Sequence, residues 1–398
     1  MSRPDVALIT PYPPAGERHA GSGGVSSYSA NLARALNASG ADVTVIAPFE
    51  PDSPLVEIDD GIVVRRAFEL GPCALPRAAR SAIETGARVV HLQHEMFLYG
   101  DPSWLLGLPL GLRMLREAGV GPVVTMHQVV DPADVDSSFT KLHRVRVPAP
   151  VARAGIATVQ GSIRRLAHTT LVHERSFADA LPGAVVIPHG VELATPPNRN
   201  EARAHLGLDD RPTVLCFGYL APYKGLEPAL AAAEGMTEQI NLVIAGGEHP
   251  RLAGRDGYGR ELAKRYGDAA RFTGYVSEAD VARWFTAADI ALLPYPKPFS
   301  SSGALALALA YGTPLLLSNE LADAGGVSRS LATSLDPLSL SERLRALTSD
   351  DAQLDLLRRE SQALAYGRSW PSVAGRHIDV YEEVSNASRT TSGRFRAA

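Results

Sequence analysis

The chain has 398 residues, 45% of them hydrophobic and 21% charged, with a formal net charge of -4. That length exceeds one ordinary core, and that balance excludes a disordered chain, so two globular domains are expected. The near-neutral charge supplies no general attraction to nucleic acid, and no apolar run reaches the ~20 residues that a membrane span needs.

Met1-Ser2-Arg3-Pro4-Asp5 leads straight into Val6-Ala7-Leu8-Ile9, without the plan of a signal peptide. The expected location is the cytoplasm. Cys73 and Cys216 stand far apart and in no metal-ligand spacing, so both read as buried thiols of a reducing compartment. The 11 histidines form no zinc-spaced set, and neither a metal nor a cofactor is expected.

Short apolar runs alternate with helix-period segments. In the first half, strands are expected at Val6–Thr10, Asp42–Ala47, Val89–Leu92, Val123–Met126, Thr169–Val172 and Val185–Ile187. In the second half they are expected at Thr213–Phe217, Leu242–Ala245, Arg271–Thr273, Ile290–Leu293 and Pro314–Leu317. Continuous apolar runs suit parallel strands buried on both faces, and the alternation argues for an α/β protein of doubly wound sheets. Thr195-Pro196-Pro197-Asn198-Arg199-Asn200 is polar and aperiodic, which predicts a linker between a domain over 1–195 and one over 200–368. The stretch from Asp131 to Pro150 reads as a mobile loop, and residues 387–398 as a flexible tail.

Gly21-Ser22-Gly23-Gly24-Val25 follows the first strand, and Val25, Tyr28, Leu32, Ala35 and Leu36 behind it share one helical face. A glycine-rich turn opening a helix lets a ligand approach the backbone, and its free N–H groups favour an anion. Ser26 stands where a dinucleotide fingerprint needs its third glycine, and a flexible βα turn explains the segment equally well. Gln93-His94-Glu95 closes one strand, and His127 follows the next. Ligands of open α/β sheets bind beyond the carboxyl ends of strands. His94 and Glu95 are therefore candidates for a sugar hydroxyl or for proton transfer. His127 could donate to a sugar hydroxyl or to a ligand oxygen that gains charge. A polar strand end capped locally, and a structural histidine, are the alternatives.

In Phe217-Gly218-Tyr219-Leu220-Ala221-Pro222-Tyr223-Lys224-Gly225, Lys224 sits at a glycine-flanked turn, where it can neutralise a diphosphate leaving group. A solvated surface lysine is the plain alternative. Ser300-Ser301-Ser302-Gly303 offers hydroxyls and N–H groups ahead of an Ala/Leu-rich helix ending at Gly312-Thr313-Pro314. A simple N-cap on a buried helix accounts for it too. Asp134-Val135-Asp136 has an Asp-x-Asp form but follows no strand, and reads as solvated. From Lys141 to Arg175 the basic residues Lys141, Arg144, Arg146, Arg153, Arg164, Arg165 and Arg175 accompany one acid, Glu174. They suit a phosphorylated acceptor or an anionic membrane surface, or simply a solvated helix face.

Taken in order, these segments resemble glycosyltransferase family 4, the retaining enzymes of the GT-B fold. The resemblance covers nearly the whole chain. It rests on Gly23-Gly24-Val25 with Tyr28, Gln93-His94-Glu95, His127, Ile187-Pro188-His189-Gly190-Val191 and Phe217–Gly225. Leu242–Gly247, Phe272–Val276 leading to Ala287-Ala288-Asp289, and Gly312-Thr313-Pro314 continue it. The resemblance implies two Rossmann-like domains facing a central cleft, with a C-terminal helix over 370–386 crossing back to the first. It implies that Gly23, Gly24 and Gly218 approach the donor, that His127 lies near the transferred sugar, and that Lys224 holds the diphosphate. Tyr275 and Val276 would lie near the base, and Ser301, Ser302 and Gly303 would meet sugar and phosphate. His94, Glu95 and His127 would face the acceptor.

The family commonly has two glutamates before its Gly-x-Pro turn, where this chain has Phe299 and Leu307. Its arginine near the phosphate lysine is also missing, with Tyr219 and Ala221 at the nearby positions. The chain is similar to branches with a Ser-Gly form of that segment, Gln-His-Glu and Pro-x-Lys-Gly. The implied reaction moves a hexosyl group from a nucleotide sugar to a small-molecule or glycan acceptor with retention, without a metal. No pair of glycosidase-type carboxylates is evident, so a same-face displacement is expected, the leaving diphosphate taking the acceptor's proton. A sugar phosphorylase on the same fold, a non-catalytic nucleotide-sugar-binding protein and an NAD-dependent oxidoreductase remain open. The partners implied are the donor and acceptor, with peripheral membrane contact compatible and no nucleic acid.

Overall fold

The computed structural model describes residues 4–17, 23–51, 53–100, 102–142, 145, 147–247, 257–297 and 303–395. The chain divides into two compact units, residues 1–190 with 370–398, and residues 191–369.

The first unit begins with β1 (Val6–Ile9), α1 (Gly23–Ala38), β2 (Val43–Pro48), β3 (Val56–Asp59), β4 (Ile62–Phe68), α2 (Ala74–Glu84) and β5 (Val89–His94). It continues with α3 (Leu108–Glu117), β6 (Gly121–Met126), α4 (Ser137–Leu142), α5 (Ala149–Leu166), β7 (Thr169–Val172), α6 (Arg175–Ala180) and β8 (Val185–Val186). The second unit holds α7 (Arg199–Leu206), β9 (Thr213–Phe217), α8 (Leu226–Ala233), β10 (Asn241–Ala245), α9 (Tyr258–Tyr266), β11 (Arg271–Gly274) and α10 (Glu278–Ala287). After these come β12 (Ile290–Leu293), α11 (Gly303–Ala310), β13 (Leu315–Ser318), α12 (Asn319–Gly325), β14 (Ala332–Thr333), α13 (Pro337–Ser349) and α14 (Asp351–Gly367). Helix α15 (Trp370–Phe395) belongs to the first unit.

The first sheet has the order β3-β4-β2-β1-β5-β6-β7-β8, parallel except for the β3–β4 pair. The second is parallel throughout, in the order β11-β10-β9-β12-β13-β14. Strands β1, β2, β5 and β6 are buried at every residue, which is why β1 reads as an unbroken apolar run and β2 and β6 nearly so, whereas β5 buries the polar His91, Gln93 and His94 as well. Helices α1 and α15 cover one face, with Tyr28, Leu32, Leu36, Trp370, Val373 and Val384 packed on Val6, Leu8 and Val45. Helices α2, α3 and α5 cover the other, with Ala78, Leu112 and Ile163 against Ile9 and Leu92. Strand order reverses beside β1 in the first sheet and beside β9 in the second. Such switch points open a crevice beyond the strands' carboxyl ends, where open α/β sheets bind ligands.

Some segments differ from expectation. The β3–β4 hairpin is an alternating pattern, with β4 buried at every second residue, and a search for continuous apolar runs passes over it. Its turn has Asp60 at φ 50° and Gly61 at φ 83°, the pair of left-handed residues that a two-residue hairpin favours. The stretch 131–150, expected as a mobile loop, holds a 3-10 turn at Pro132–Asp134, all of α4 and the start of α5. Its polar and proline residues start helices: Asp131 accepts from Ala133 N, Asp136 from Phe139 N, and Pro148 precedes α5. Residues 387–395 are helical and continue α15. Residues 195–200 lie inside the second unit, where Asn198 caps α7 by accepting from Asn200 N and Glu201 N. Cys216 is buried, but Cys73 is exposed, because it sits just ahead of α2. Among the described residues no helix is long and apolar enough to cross a membrane.

Candidate functional site

In the first unit β5 and β6 pair in register, Gln93 with Thr125 and His94 with Met126, so their carboxyl ends emerge at one level. The His127 amide donates to the His94 carbonyl at 3.0 Å and continues that level. Both ring nitrogens of His127 are engaged. Nε2 lies 2.8 Å from the Gln93 side-chain amide, and Nδ1 lies 3.1 Å from His173 Nε2. His173, directly beyond β7, brings its Nδ1 to 3.0 Å from the Ile187 carbonyl. One layer down, His91 Nδ1 is 2.7 Å from the Tyr381 hydroxyl and Nε2 is 2.7 Å from the Thr125 hydroxyl. Burial first, and then the neighbouring imidazoles, hold His127 and His91 well below the usual histidine range. Both rings are therefore neutral at pH 7.

His94 is 5% exposed, and among the described residues neither of its ring nitrogens has a hydrogen-bond partner. Burial lowers its pKa to about 4, so it too is neutral, which reduces the cost of leaving it unpaired. Its ring lies 5.5 Å from that of Trp104. Glu95 is half-buried, and burial raises its carboxyl above the ordinary value.

Tyr28 ties α1 to this cluster, its ring centroid lying 4.8 Å from His127, 5.1 Å from His173, 4.9 Å from His189 and 5.3 Å from Trp370. Gly23 and Gly24 open that helix. Among the described residues a Cβ on Gly24 would meet nothing within 4 Å, so packing against them does not demand glycine there. Gly21 and Ser22 lie outside the described residues. The segment leading toward them is pinned by the β3–β4 hairpin. Tyr12 Oη donates to Asp59 at 2.8 Å, Gly16 N donates to the same carboxylate at 3.0 Å, and Arg66 donates to the carbonyls of Tyr12 and Pro13.

In the second unit the ends of β9, β10 and β11 meet through glycine backbone. Gly218 N donates to Ala245 O at 2.9 Å and Leu220 N to Gly247 O at 3.0 Å, while Gly246 bridges to Gly274. A Cβ on Gly246 would fall 2.0 Å from Gly218 O. Lys224 ends a 3-10 turn, Pro222–Lys224, and Gly225 follows at φ 58° because a side chain there would strike Pro294 O at 2.4 Å. Lys224 Nζ donates to the Tyr295 hydroxyl at 2.8 Å and to Phe217 O at 3.3 Å. Among the described residues no carboxylate pairs with it. Burial lowers its pKa from the usual lysine value. Tyr275 is 78% exposed beyond β11, and Val276 is half-buried beside it. Gly303 opens α11 and is exposed, whereas Ser301 and Ser302 lie outside the described residues.

The structure thus gathers His94, Glu95 and His127 at one strand edge of the first unit. In the second it gathers Gly218, Lys224 and Tyr275 at another. A His127 ring free to donate is not what it shows, since both nitrogens are already used. His173 and Tyr295 are the partners missed in the sequence. His173 had the same signal as His127, a histidine directly after an apolar strand. Leu307, where the paired-glutamate pattern would put a carboxylate, packs with the apolar residues of α11. Of the basic run, Arg164 and Arg165 are exposed on α5 and Arg153 donates to Val135 O. Arg144 and Arg146 lie outside the described residues, and nothing is shown of the Lys141 side chain. Among the described residues no group of three or more His, Cys, Asp or Glu is placed to hold a metal ion.

Residues 22–195 match the family described as Glycosyltransferase Family 4, and residues 211–350 match Glycosyl transferases group 1. The chain is 28% identical over 408 residues to D-inositol 3-phosphate glycosyltransferase 1 of Catenulispora acidiphila, covering 92% of each. Among solved structures it is similar to sucrose-phosphate synthase of Thermosynechococcus elongatus, with TM-score 0.65, 21% identity and coverage of 96% and 99%. Anabaena HepE in complex with UDP matches at TM-score 0.64 and 14% identity, over 95% of this chain and 100% of that one.

Proposed function

The chain belongs to glycosyltransferase family 4 and is a retaining enzyme that transfers a sugar from a nucleotide-sugar donor, and from that premise we propose that the donor's diphosphate binds at the strand ends of the second unit with Lys224 as its counter-charge. The observation that carries this is the environment of the Lys224 ammonium, which is half-buried and, among the described residues, donates to the neutral oxygens of Tyr295 and Phe217 and lies over the Tyr295 ring, with no carboxylate paired to it. Its charge is left to be balanced by a ligand. Glycines at 218, 246 and 247 let Lys224 and the ends of β9, β10 and β11 pack closely, since a Cβ on each would fall 2.7 Å from Lys224 Nζ, 2.0 Å from Gly218 O and 3.2 Å from Tyr275 N. The exposed ring of Tyr275 offers a surface for the base.

The leaving diphosphate departs from the face on which the acceptor hydroxyl arrives. The bond between the anomeric carbon and the diphosphate oxygen breaks, the bond to the acceptor oxygen forms on the same face, and the hydroxyl proton passes to the departing diphosphate. Lys224 stabilises the negative charge that grows there. Gly303, at the N-terminus of α11 in the second unit, adds N–H groups toward donor phosphates, and Gly23 and Gly24 give the first unit an anion-favouring helix start of its own. His94, Glu95 and His127 form the acceptor side. Leu307, at one of the two paired-glutamate positions, packs among apolar residues, which supports placing the chain in the Ser-Gly branch.

The donor is proposed to be a UDP-sugar, after the ligand bound by HepE, and the acceptor a polyol hydroxyl, after the name of the Catenulispora relative. Thermal melts with UDP-, GDP-, ADP- and dTDP-sugars test the donor, because a ligand that binds only the folded state raises the melting temperature. Stabilisation by UDP-sugars alone, followed by transfer to D-inositol 3-phosphate or a related polyol, is expected. Stabilisation by another nucleotide would replace the base assignment. No shift with any nucleotide sugar, and cleavage with inorganic phosphate instead, would overturn the reading in favour of a phosphorylase.

A further inference from the structure

One end of the histidine cluster in the first unit has a fixed polarity. The Ile187 carbonyl oxygen can only accept, so His173 Nδ1, 3.0 Å away, carries a proton. In a neutral ring His173 Nε2 is then a lone pair, and His127 Nδ1 at 3.1 Å must donate to it. Neutral His127 is left with its own lone pair on Nε2, 2.8 Å from the Gln93 side chain. With its oxygen toward His127, the Gln93 amide would set lone pair against lone pair. Turned over, it donates its NH2 to His127, and bonding rather than shape decides between these orientations.

The rest of the chain then falls into order. In that orientation the Gln93 oxygen takes the place of its nitrogen, which lies 3.3 Å from His91 Nε2, and the proton on that ring nitrogen is shared with the Thr125 hydroxyl oxygen at 2.7 Å. His91 Nδ1 becomes the acceptor for the Tyr381 hydroxyl at 2.7 Å. Every member donates in one direction and accepts from the other. Adding a proton at His127 Nε2 would also satisfy Gln93 in its other orientation. Burial and the surrounding imidazoles His173, His189, His91 and His94 all oppose that charge.

We propose that this one-way relay, from Tyr381 through His91, Gln93, His127 and His173 to the Ile187 carbonyl, locks His127 as its Nδ1–H tautomer, with Gln93 and His173 as positioning residues. His127 then has no N–H to give a ligand. Its Nε2 offers a lone pair, which accepts from a hydroxyl that displaces the Gln93 amide and repels a phosphate oxygen. The histidine selects a neutral O–H of sugar or acceptor, and the diphosphate is left to the second unit. The relay stands on hydrogen-bond geometry, and only the identity of that hydroxyl rests on the transferase reading.

Full-length protein labelled with 15N-histidine tests it, by long-range proton–nitrogen correlation at neutral pH, which shows each ring nitrogen as protonated or bare. His127→Gln assigns the signals. Wild type should show His127 Nδ1 protonated and Nε2 bare. Gln93→Glu, nearly identical in shape, should protonate both nitrogens. His173→Phe should release the tautomer, and His173→Gln, whose amide can donate to Ile187 and accept from His127, should restore it. Gln93→Glu and His173→Phe should lower kcat ~10-fold or more, with a smaller change in donor KM, as a misplaced contact does. Should His173→Phe fail to fold, Gln93→Glu carries the test. A bare Nδ1 in wild type, or signatures unchanged in both variants, would overturn the relay. The predicted tautomer in a protein that transfers no sugar would uphold the relay and remove the transferase reading alone.

Discussion

Lys224 Nζ lies 2.8 Å from the phenolic oxygen of Tyr295, so among the described residues the nearest partner of this half-buried ammonium carries no charge. A carboxylate in that place would compete with a diphosphate for the lysine, whereas a phenol orients it and leaves its charge available. Lys224→Ala should therefore reduce turnover on the order of 10²-fold, the scale of losing one group aimed at developing charge, with the melting temperature little changed. Tyr295→Phe should weaken nucleotide binding several-fold, by ~0.5–1.5 kcal/mol for one hydrogen bond. Isothermal titration of both variants checks this, and wild-type affinity and turnover in Lys224→Ala would sink the assignment.

Gly218 and Gly24 should respond differently to alanine. Gly218 has φ 114° and its Cβ would stand 2.7 Å from Lys224 Nζ, so Gly218→Ala should cost ~1–3 kcal/mol and displace the lysine. No described residue would meet a Cβ on Gly24, so Gly24→Ala should keep wild-type stability and lose only ligand affinity. Melting curves with and without donor separate the two effects. A stability loss in Gly24→Ala that matches Gly218→Ala would count against a ligand at the α1 N-terminus.

Gly190 and Trp370 form a steric pair inside the first unit. A Cβ on Gly190 would reach 2.5 Å from two carbons of the indole. Gly190→Ala should destabilise by ~1–3 kcal/mol, the usual cost of overpacking. Trp370→Leu removes the obstacle, so the double variant should be more stable than the sum of the single losses. Additivity in denaturant unfolding would show that the backbone yields instead.

Acid should weaken the folded state earlier than carboxylate titration alone predicts. His94 and His377 are both lowered to about 4 by burial, and His91 and His127 lie well below the normal value. Between the unfolded pKa of about 6.5 and the folded one, the unfolded chain binds protons that the folded chain refuses. Stability therefore falls as pH drops through that window, by ~1.4 kcal/mol per pH unit for each such histidine. Among the described residues His377 Nε2 has no partner, so His377→Leu should flatten the slope by about one proton. Equal slopes for variant and wild type from pH 7 to 4.5 would refute it.

The parallel strands were legible because burial on both faces writes unbroken apolar runs, as at Val6–Ile9 and Ile290–Leu293. The β3–β4 hairpin was not, because its alternation answers to a different period, although Asp60-Gly61 announced its turn. At the site, strand-end residues such as His94, His127 and Gly218 could be placed from local pattern. Their partners could not. Tyr381 meets His91 across 290 positions, and Tyr295 meets Lys224 across 71, distances over which periodicity carries no information.

The return of α15 to the first unit has a consequence for synthesis. Val373, Ala374, Val380 and Val384 belong to the same buried cluster as β1 and α1. The first 190 residues leave the ribosome with that face uncovered, and 179 more must follow before Trp370 is made. At ordinary elongation rates the delay is roughly 10–40 s. During it the apolar side of α1 is open to chaperones and to aggregation. Truncation before Trp370 would make that nascent condition permanent.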